Sequence, residues 1–105
     1  MIVWARIVTK RGDPKYRPAV LLTPTNLIDQ TDPLLIMGIS SSYYPGNDDV
    51  VAIPFREDGR SVTGLRKDSA ACAGLIQSVL KVDLEWRGGR VPPAYLVDIL
   101  EIAKK

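Results

Sequence analysis

The apolar positions of this chain come in short runs separated by turn-forming residues, a pattern that reads as strands over most of its length. Residues 1–8, rich in β-branched side chains, predict a first strand. A polar loop follows over 9–16. Residues 18–22 predict a second strand, with Pro18 at its start and Pro24 closing its end. Val20, Leu21 and Leu22 run without polar interruption, as in a strand covered on both faces. The polar stretch 24–33 predicts a connection with a short helical turn around Leu27 and Ile28. Residues 34–40 predict a third strand that runs into Ser40-Ser41-Ser42. Tyr43 to Asp48 is a turn cluster built on Pro45-Gly46. Residues 50–55 predict a fourth strand, and Asp58-Gly59 is a hairpin signal. Residues 70–76 favour helix on alanine content, but Gly74 and the β-branched residues after it predict a strand, extended on through 84. Arg87-Gly88-Gly89-Arg90 predicts a turn. Helical periodicity belongs to the C-terminus: Pro92-Pro93 opens a helix over 94–104. Leu96, Ile99, Leu100 and Ala103 form its apolar stripe, and Lys104 and Lys105 stand where the helix dipole favours cations.

Five to seven short strands and one terminal helix predict a mainly β fold: a small, strongly bent barrel with the helix on an open edge or end of its sheet. A chain of 105 residues is expected to form one domain. No repeat, low-complexity segment or linker divides it.

Composition narrows the chemistry. With 46% apolar and 25% charged residues the chain has the make-up of an ordinary globular protein, and a net charge of +2 permits an anionic partner without demanding one. There is no histidine, so the commonest general base and the commonest metal ligand are missing. Cys72 is the single cysteine, which excludes an intrachain disulfide. Ser-His-Asp and Cys-His catalysis are excluded, and no zinc set can be assembled in the usual way. Asn47-Asp48-Asp49 is too short for a calcium loop. No metal and no cofactor are expected. No apolar run approaches the roughly 20 residues of a membrane span, and no signal peptide is evident. The expected address is the cytoplasm, with no membrane partner. Cys72, among alanines, reads as a small buried apolar residue; Trp4 reads as core and Trp86 as exposed.

The candidate chemistry gathers at strand ends. Arg17 stands at the mouth of the second strand and Ser40-Ser41-Ser42 at the end of the third. If the two strands lie in one sheet, they share a rim. Lys10, Arg11 and Lys15 crowd the loop before it, and Tyr16, Tyr43 and Tyr44 flank it. On the residues alone, a surface ion pair is the default for Arg17 and a strand-end turn for the serines.

Taken together, several segments resemble the PemK/MazF-like toxins of bacterial toxin–antitoxin pairs, over most of the length. These are Arg17-Pro18-Ala19-Val20-Leu21-Leu22, Ile39-Ser40-Ser41, Gly64-Leu65-Arg66-Lys67-Asp68-Ser69-Ala70, and Arg87-Gly88-Gly89-Arg90-Val91-Pro92 before the C-terminal helix. The resemblance rests on their order and spacing. It implies an SH3-like (CcdB/PemK-type) barrel, a homodimer, a metal-independent endoribonuclease acting on single-stranded RNA, and a cognate antitoxin that blocks the RNA groove. It implies Arg17 and Ser40 as the catalytic pair, with serine where threonine is common. Some members carry an arginine and an aspartate in strand five where this chain has Cys72 and Gly74, and the arginine that usually follows falls on Gln77. Members often open with a basic-Gly-acidic sequence before strand one, whereas the sequence here begins directly on that strand. These departures keep open an alternative: a non-enzymatic toxin or binding module on the same barrel, gyrase-inhibitor-like or catalytically degenerate.

Metal-free RNA cleavage uses the ribose 2′-OH as nucleophile and passes through a five-coordinate phosphorus carrying extra negative charge. A fixed guanidinium stabilises that charge but is a poor base. In this reading Arg17 is the clamp, and Ser40 donates to a phosphate oxygen with Ser41 and Ser42 in reserve. The base is open among Asp13, Asp48, Asp49 and Arg17 itself. Lys10, Arg11 and Lys15 would meet phosphates, and Tyr16, Tyr43 and Tyr44 would stack on unpaired bases.

Overall fold

Strand β1, Ile2–Val8, alternates as a strand between two layers must: Val3, Ala5 and Ile7 are fully buried on one face, while Ile2, Trp4 and Arg6 take the other. The computed structural model describes residues 1–8, 14–44 and 46–104. Five further strands and a helix follow: β2 Pro14–Leu21, β3 Leu34–Ser40, β4 Val50–Ile53, β5 Ser69–Val79, β6 Glu85–Trp86 and α1 Pro93–Ala103. Short 3₁₀ turns occupy Thr25–Gln30 and Lys81–Asp83. The protein is mainly β, a six-stranded antiparallel sheet in the order β4-β5-β3-β2-β1-β6 with a C-terminal helix.

The sheet is curled by a slip between β3 and β5. Met37 faces Ile76, yet Ile39 faces Ala71, so two steps along β3 answer to five along β5. Such an excess bends the bulged strand and raises its twist. Gly38 sits at the slip. A Cβ there would lie 2.9 Å from Leu75 Cβ and 3.2 Å from Ile7 Cδ1. Side chains of β1 and β5, which are not neighbours in the sheet, therefore meet over a bare backbone.

Two cores result. On the helix side, Ile2, Val20, Met37, Ile39 and Ala71 pack with Leu65, Val91, Ile99 and Ile102. On the other side Val3, Ala5, Ile7, Ala19, Leu34 and Ile36 pack with Leu75 and Val79. Each fully buried aliphatic side chain contributes roughly 1.5–3 kcal/mol relative to exposure.

Several sequence expectations shift. Strand β2 begins at Pro14, not Pro18. Pro18 is tolerated inside it because β2 pairs with β3 only over Ala19–Leu21; from Pro14 to Pro18 it has β1 alone as a neighbour. Strand β4 stops at Ile53, and Asp58-Gly59 does not join adjacent strands. It makes a local turn, Gly59 N–H to Arg56 C=O at 2.9 Å, inside the long connection to β5. The extended stretch through 84 is interrupted at Lys81–Asp83. On α1 the buried side chains are Ile99 and Ile102, with Leu100 40% exposed. The helix is apolar on more than one side, so periodicity alone does not choose the face that β4 and β5 cover. Lys105 lies outside the described residues. Among the described residues no helix is long and apolar enough to cross a membrane.

Candidate functional site

The β2–β3 register pairs Ala19 with Gly38, and continuing it by two residues puts Arg17 opposite Ser40. Their side chains meet: Arg17 Nη1 donates to Ser40 Oγ at 3.1 Å. Ser40 is buried, and its hydroxyl is used in full. It also accepts from the Ser42 N–H at 3.1 Å and donates to the Ser42 carbonyl at 3.2 Å. Arg17 is half-buried, and among the described residues it forms no ion pair. Its partner is neutral, so its full charge is left to act on a ligand.

Cys72 lies beside this pair rather than only among alanines. Its thiol donates to the Ala70 carbonyl at 3.4 Å. Burial raises its pKa, partly offset by a hydrogen bond from the Ser40 backbone and by the charge of Arg17.

Strand alternation sends Trp4 and Pro18 to the opposite face from Ala5 and Arg17. On that face the helix-side core ends at Ile2, Ile39 and Leu65, and past them opens a groove of about 750 Å³. Its floor is the uncovered remainder of the sheet face, Trp4 and Pro18. One wall is the connection before β5, the other the segment after β6. Gly89 joins them. A Cβ there would collide with the Thr63 carbonyl oxygen, while the Gly89 carbonyl accepts from Ile2 N–H at 2.8 Å and Arg90 N–H donates to Val62 at 3.0 Å. Five cations border the groove, Lys15, Arg17, Arg66, Lys67 and Arg87, with no acidic residue among its described lining. That arrangement favours an anion.

Of the residues singled out in the sequence, Lys15, Tyr16, Arg17 and Ser41 border this groove. Ser40 reaches it through Arg17, and Ser42 is exposed with its backbone holding Ser40. Tyr43 is turned to Asp68, its hydroxyl 2.6 Å from Oδ1, and that bond raises its pKa. Tyr44 stands 82% exposed. Lys10, Arg11 and Asp13 lie outside the described residues. Asp48 and Asp49 are exposed in the turn where Asn47 Oδ1 accepts from Asp49 N–H at 2.9 Å. Among the described residues neither bonds to Arg17 or Ser40. Gln77 faces the end of β1, accepting from Val8 N–H at 3.4 Å, and Gly74 has open space around it.

Sequence reasoning placed Trp4 in the core. It is instead half-buried on the groove floor, its ring centroid 5.8 Å from that of Tyr16, with the Arg87 guanidinium 4.3 Å above its face. Arg87 Nε donates to Glu85 Oε1 at 2.6 Å, and Tyr16 donates its hydroxyl to the other carboxylate oxygen. The bond to Arg87 foremost, then that to Tyr16, lowers the pKa of Glu85; the bond to Glu85 raises those of Tyr16 and Arg87. The signal for Trp4 lay in period two: it shares a face with Arg6, while Val3, Ala5 and Ile7 take the sealed one.

This architecture has close counterparts among solved structures. The Mycobacterium tuberculosis toxin MazF-mt6 superposes at a TM-score of 0.70 with 18% identity, over 94% of this chain and 90% of that one. The fold is that of the MazF toxins. A second structure, of an Mtb toxin, superposes at 0.71 with 17% identity over 96% of each chain. By sequence, no family model and no curated protein matches. The likeness to the MazF fold spans nearly the whole chain, including both strands that bring Arg17 and Ser40 together.

Proposed function

We propose that this protein is the growth-inhibiting toxin of a toxin–antitoxin pair, a metal-independent endoribonuclease that cuts single-stranded RNA. The observation that carries the reading is the Arg17–Ser40 pair, 3.1 Å apart, at the rim of a groove bordered by five cations. The MazF-type fold supports it. The 2′-OH attacks the adjacent phosphorus and gives up its proton, the new 2′-O–P bond forms as the P–O5′ bond breaks, and the leaving 5′-oxygen takes up a proton, so that a cyclic 2′,3′-phosphate and a 5′-hydroxyl result. Arg17 meets the charge that builds on the non-bridging oxygens. The Ser40 hydroxyl turns from the Ser42 carbonyl to a phosphate oxygen. Lys15, Arg66 and Lys67 hold neighbouring phosphates, and Ser41 and Tyr16 line the path. A homodimer and a cognate antitoxin that covers the groove complete the proposal, with action in the cytoplasm.

The test is incubation of the purified protein with mixed-sequence single-stranded RNA in chelator, followed by end analysis. Cyclic phosphate and 5′-hydroxyl ends that vanish in Arg17→Ala support the reading. Intact RNA together with inhibited DNA supercoiling replaces it with a non-enzymatic toxin on the same fold.

A further inference from the structure

Arg87 is placed unlike the other cations of the groove. Lys15, Arg66 and Lys67 are exposed, and no ion pair holds them among the described residues. Arg87 already has a carboxylate, so its charge is largely answered. What it presents is a plane. Glu85 grips its Nε at 2.6 Å, and Trp4 supports it from beneath at 4.3 Å, with Tyr16 at 5.6 Å to the side. Glu85 itself is set by the sheet, since β6 pairs it directly with Trp4. The Arg87 side chain is 46% exposed and borders the groove. A flat cation, clamped at its edge and backed by an indole, is a platform for an aromatic ligand.

We infer that the Trp4–Arg87 stack, clamped by Glu85, is a nucleobase-binding subsite of the groove, on which one unpaired base of the RNA lies flat. The inference rests on the reading of the groove as a single-stranded RNA site and adds a recognition element separate from the Arg17–Ser40 pair. Arginine planes and aromatic rings both accept stacked bases, and stacking tolerates any base while favouring the larger purines. The subsite therefore supplies base-dependent affinity, and the phosphate-facing lysines supply the salt-dependent part.

The experiment uses a Trp86→Phe background, which leaves Trp4 as the one tryptophan. Three probes of equal length, uncleavable through 2′-O-methylation, are titrated: oligoadenylate, oligouridylate and an abasic ribose-phosphate chain. The base-bearing chains are expected to bind about tenfold or more tighter than the abasic chain and to change Trp4 emission, adenylate more than uridylate. Arg87→Lys keeps the charge and loses the plane; it is expected to bind the abasic chain as before and to lose the base-dependent gain. Glu85→Gln, which loosens the clamp, is expected to lose part of it. Equal thermal melting of the variants secures the comparison. A base-dependent gain that survives in Arg87→Lys, or Trp4 emission that ignores the bases, overturns the subsite. Binding of none of the three chains at low salt overturns the RNA reading of the groove as a whole, and with it this inference.

Discussion

Two arginines flank the same end of the sheet, and their partners make them different instruments. Arg17 is half-buried and bonded to a hydroxyl, so its charge is unspent. Arg87 is exposed and bonded to a carboxylate, so its charge is answered while its guanidinium is held over the face of Trp4. A neutral partner preserves a guanidinium for electrostatic work on a phosphate. An acidic partner converts it into a rigid surface. The residue type is common to both; the atom that accepts its hydrogen bond decides what is left over.

The contrast is broken most directly at Arg17. Arg17→Ala should lower the rate of RNA cleavage by about 10²–10³-fold, the usual cost of losing one preorganised charge-stabilising donor. Its melting temperature should stay close to wild type. Unchanged cleavage would show that the unspent charge is not used. Next comes the clasp between the walls of the groove. Gly89→Ala drives a methyl into the Thr63 carbonyl oxygen, and denaturant unfolding should report a loss of about 1–3 kcal/mol. Neither arginine is touched by that change, so RNA binding should weaken only as far as the wall moves.

Ser40→Ala is milder. It removes the acceptor of Arg17 and the side-chain bonds to the Ser42 backbone, and should cost about 1 kcal/mol of stability. Cleavage should fall less than in Arg17→Ala, since the charge remains. The smallest effect is a pH response at Arg87. Glu85 has a lowered pKa, so its grip is complete at neutral pH and persists below the ordinary glutamate value of about 4.3. It is lost only as pH falls through the depressed value. In the Trp86→Phe background, Trp4 emission should shift in that acid range, and in Glu85→Gln the shift should be absent.

Much of this was legible in the chain. Strand β3 matches its predicted span, because Pro33 and the serines bound its apolar run on either side. That run also put Ser40 at a strand end, and the Arg17-Pro18 segment put Arg17 at the mouth of the strand before it. The β2–β3 pairing supplied the step the sequence left conditional, bringing the two side chains together. The limits were positional. Pro18 looked like a strand start because proline usually stands there; only the one-sided pairing of β2 explains its place inside. Trp4 looked like core because an apolar run hides which face each member takes. Glu85 and Arg87 belong to a two-residue strand and the turn after it, too short for any periodicity. Their relation to Trp4 exists only through the β1–β6 register, which joins residues some eighty positions apart.

The slip between β3 and β5 reaches further than a local kink. Ala71 and Ala73 look toward the helix-side core, yet beyond the slip Ile76 takes that direction while Leu75 and Val79 turn to the opposite core. An odd number of surplus residues has swapped inside for outside partway along a single strand. The length of the excursion at 72–75 thus matters more than its chemistry. Removing one residue there would leave one end of β5 presenting the wrong set of side chains, whereas substitutions at exposed Gly74 leave the phase intact.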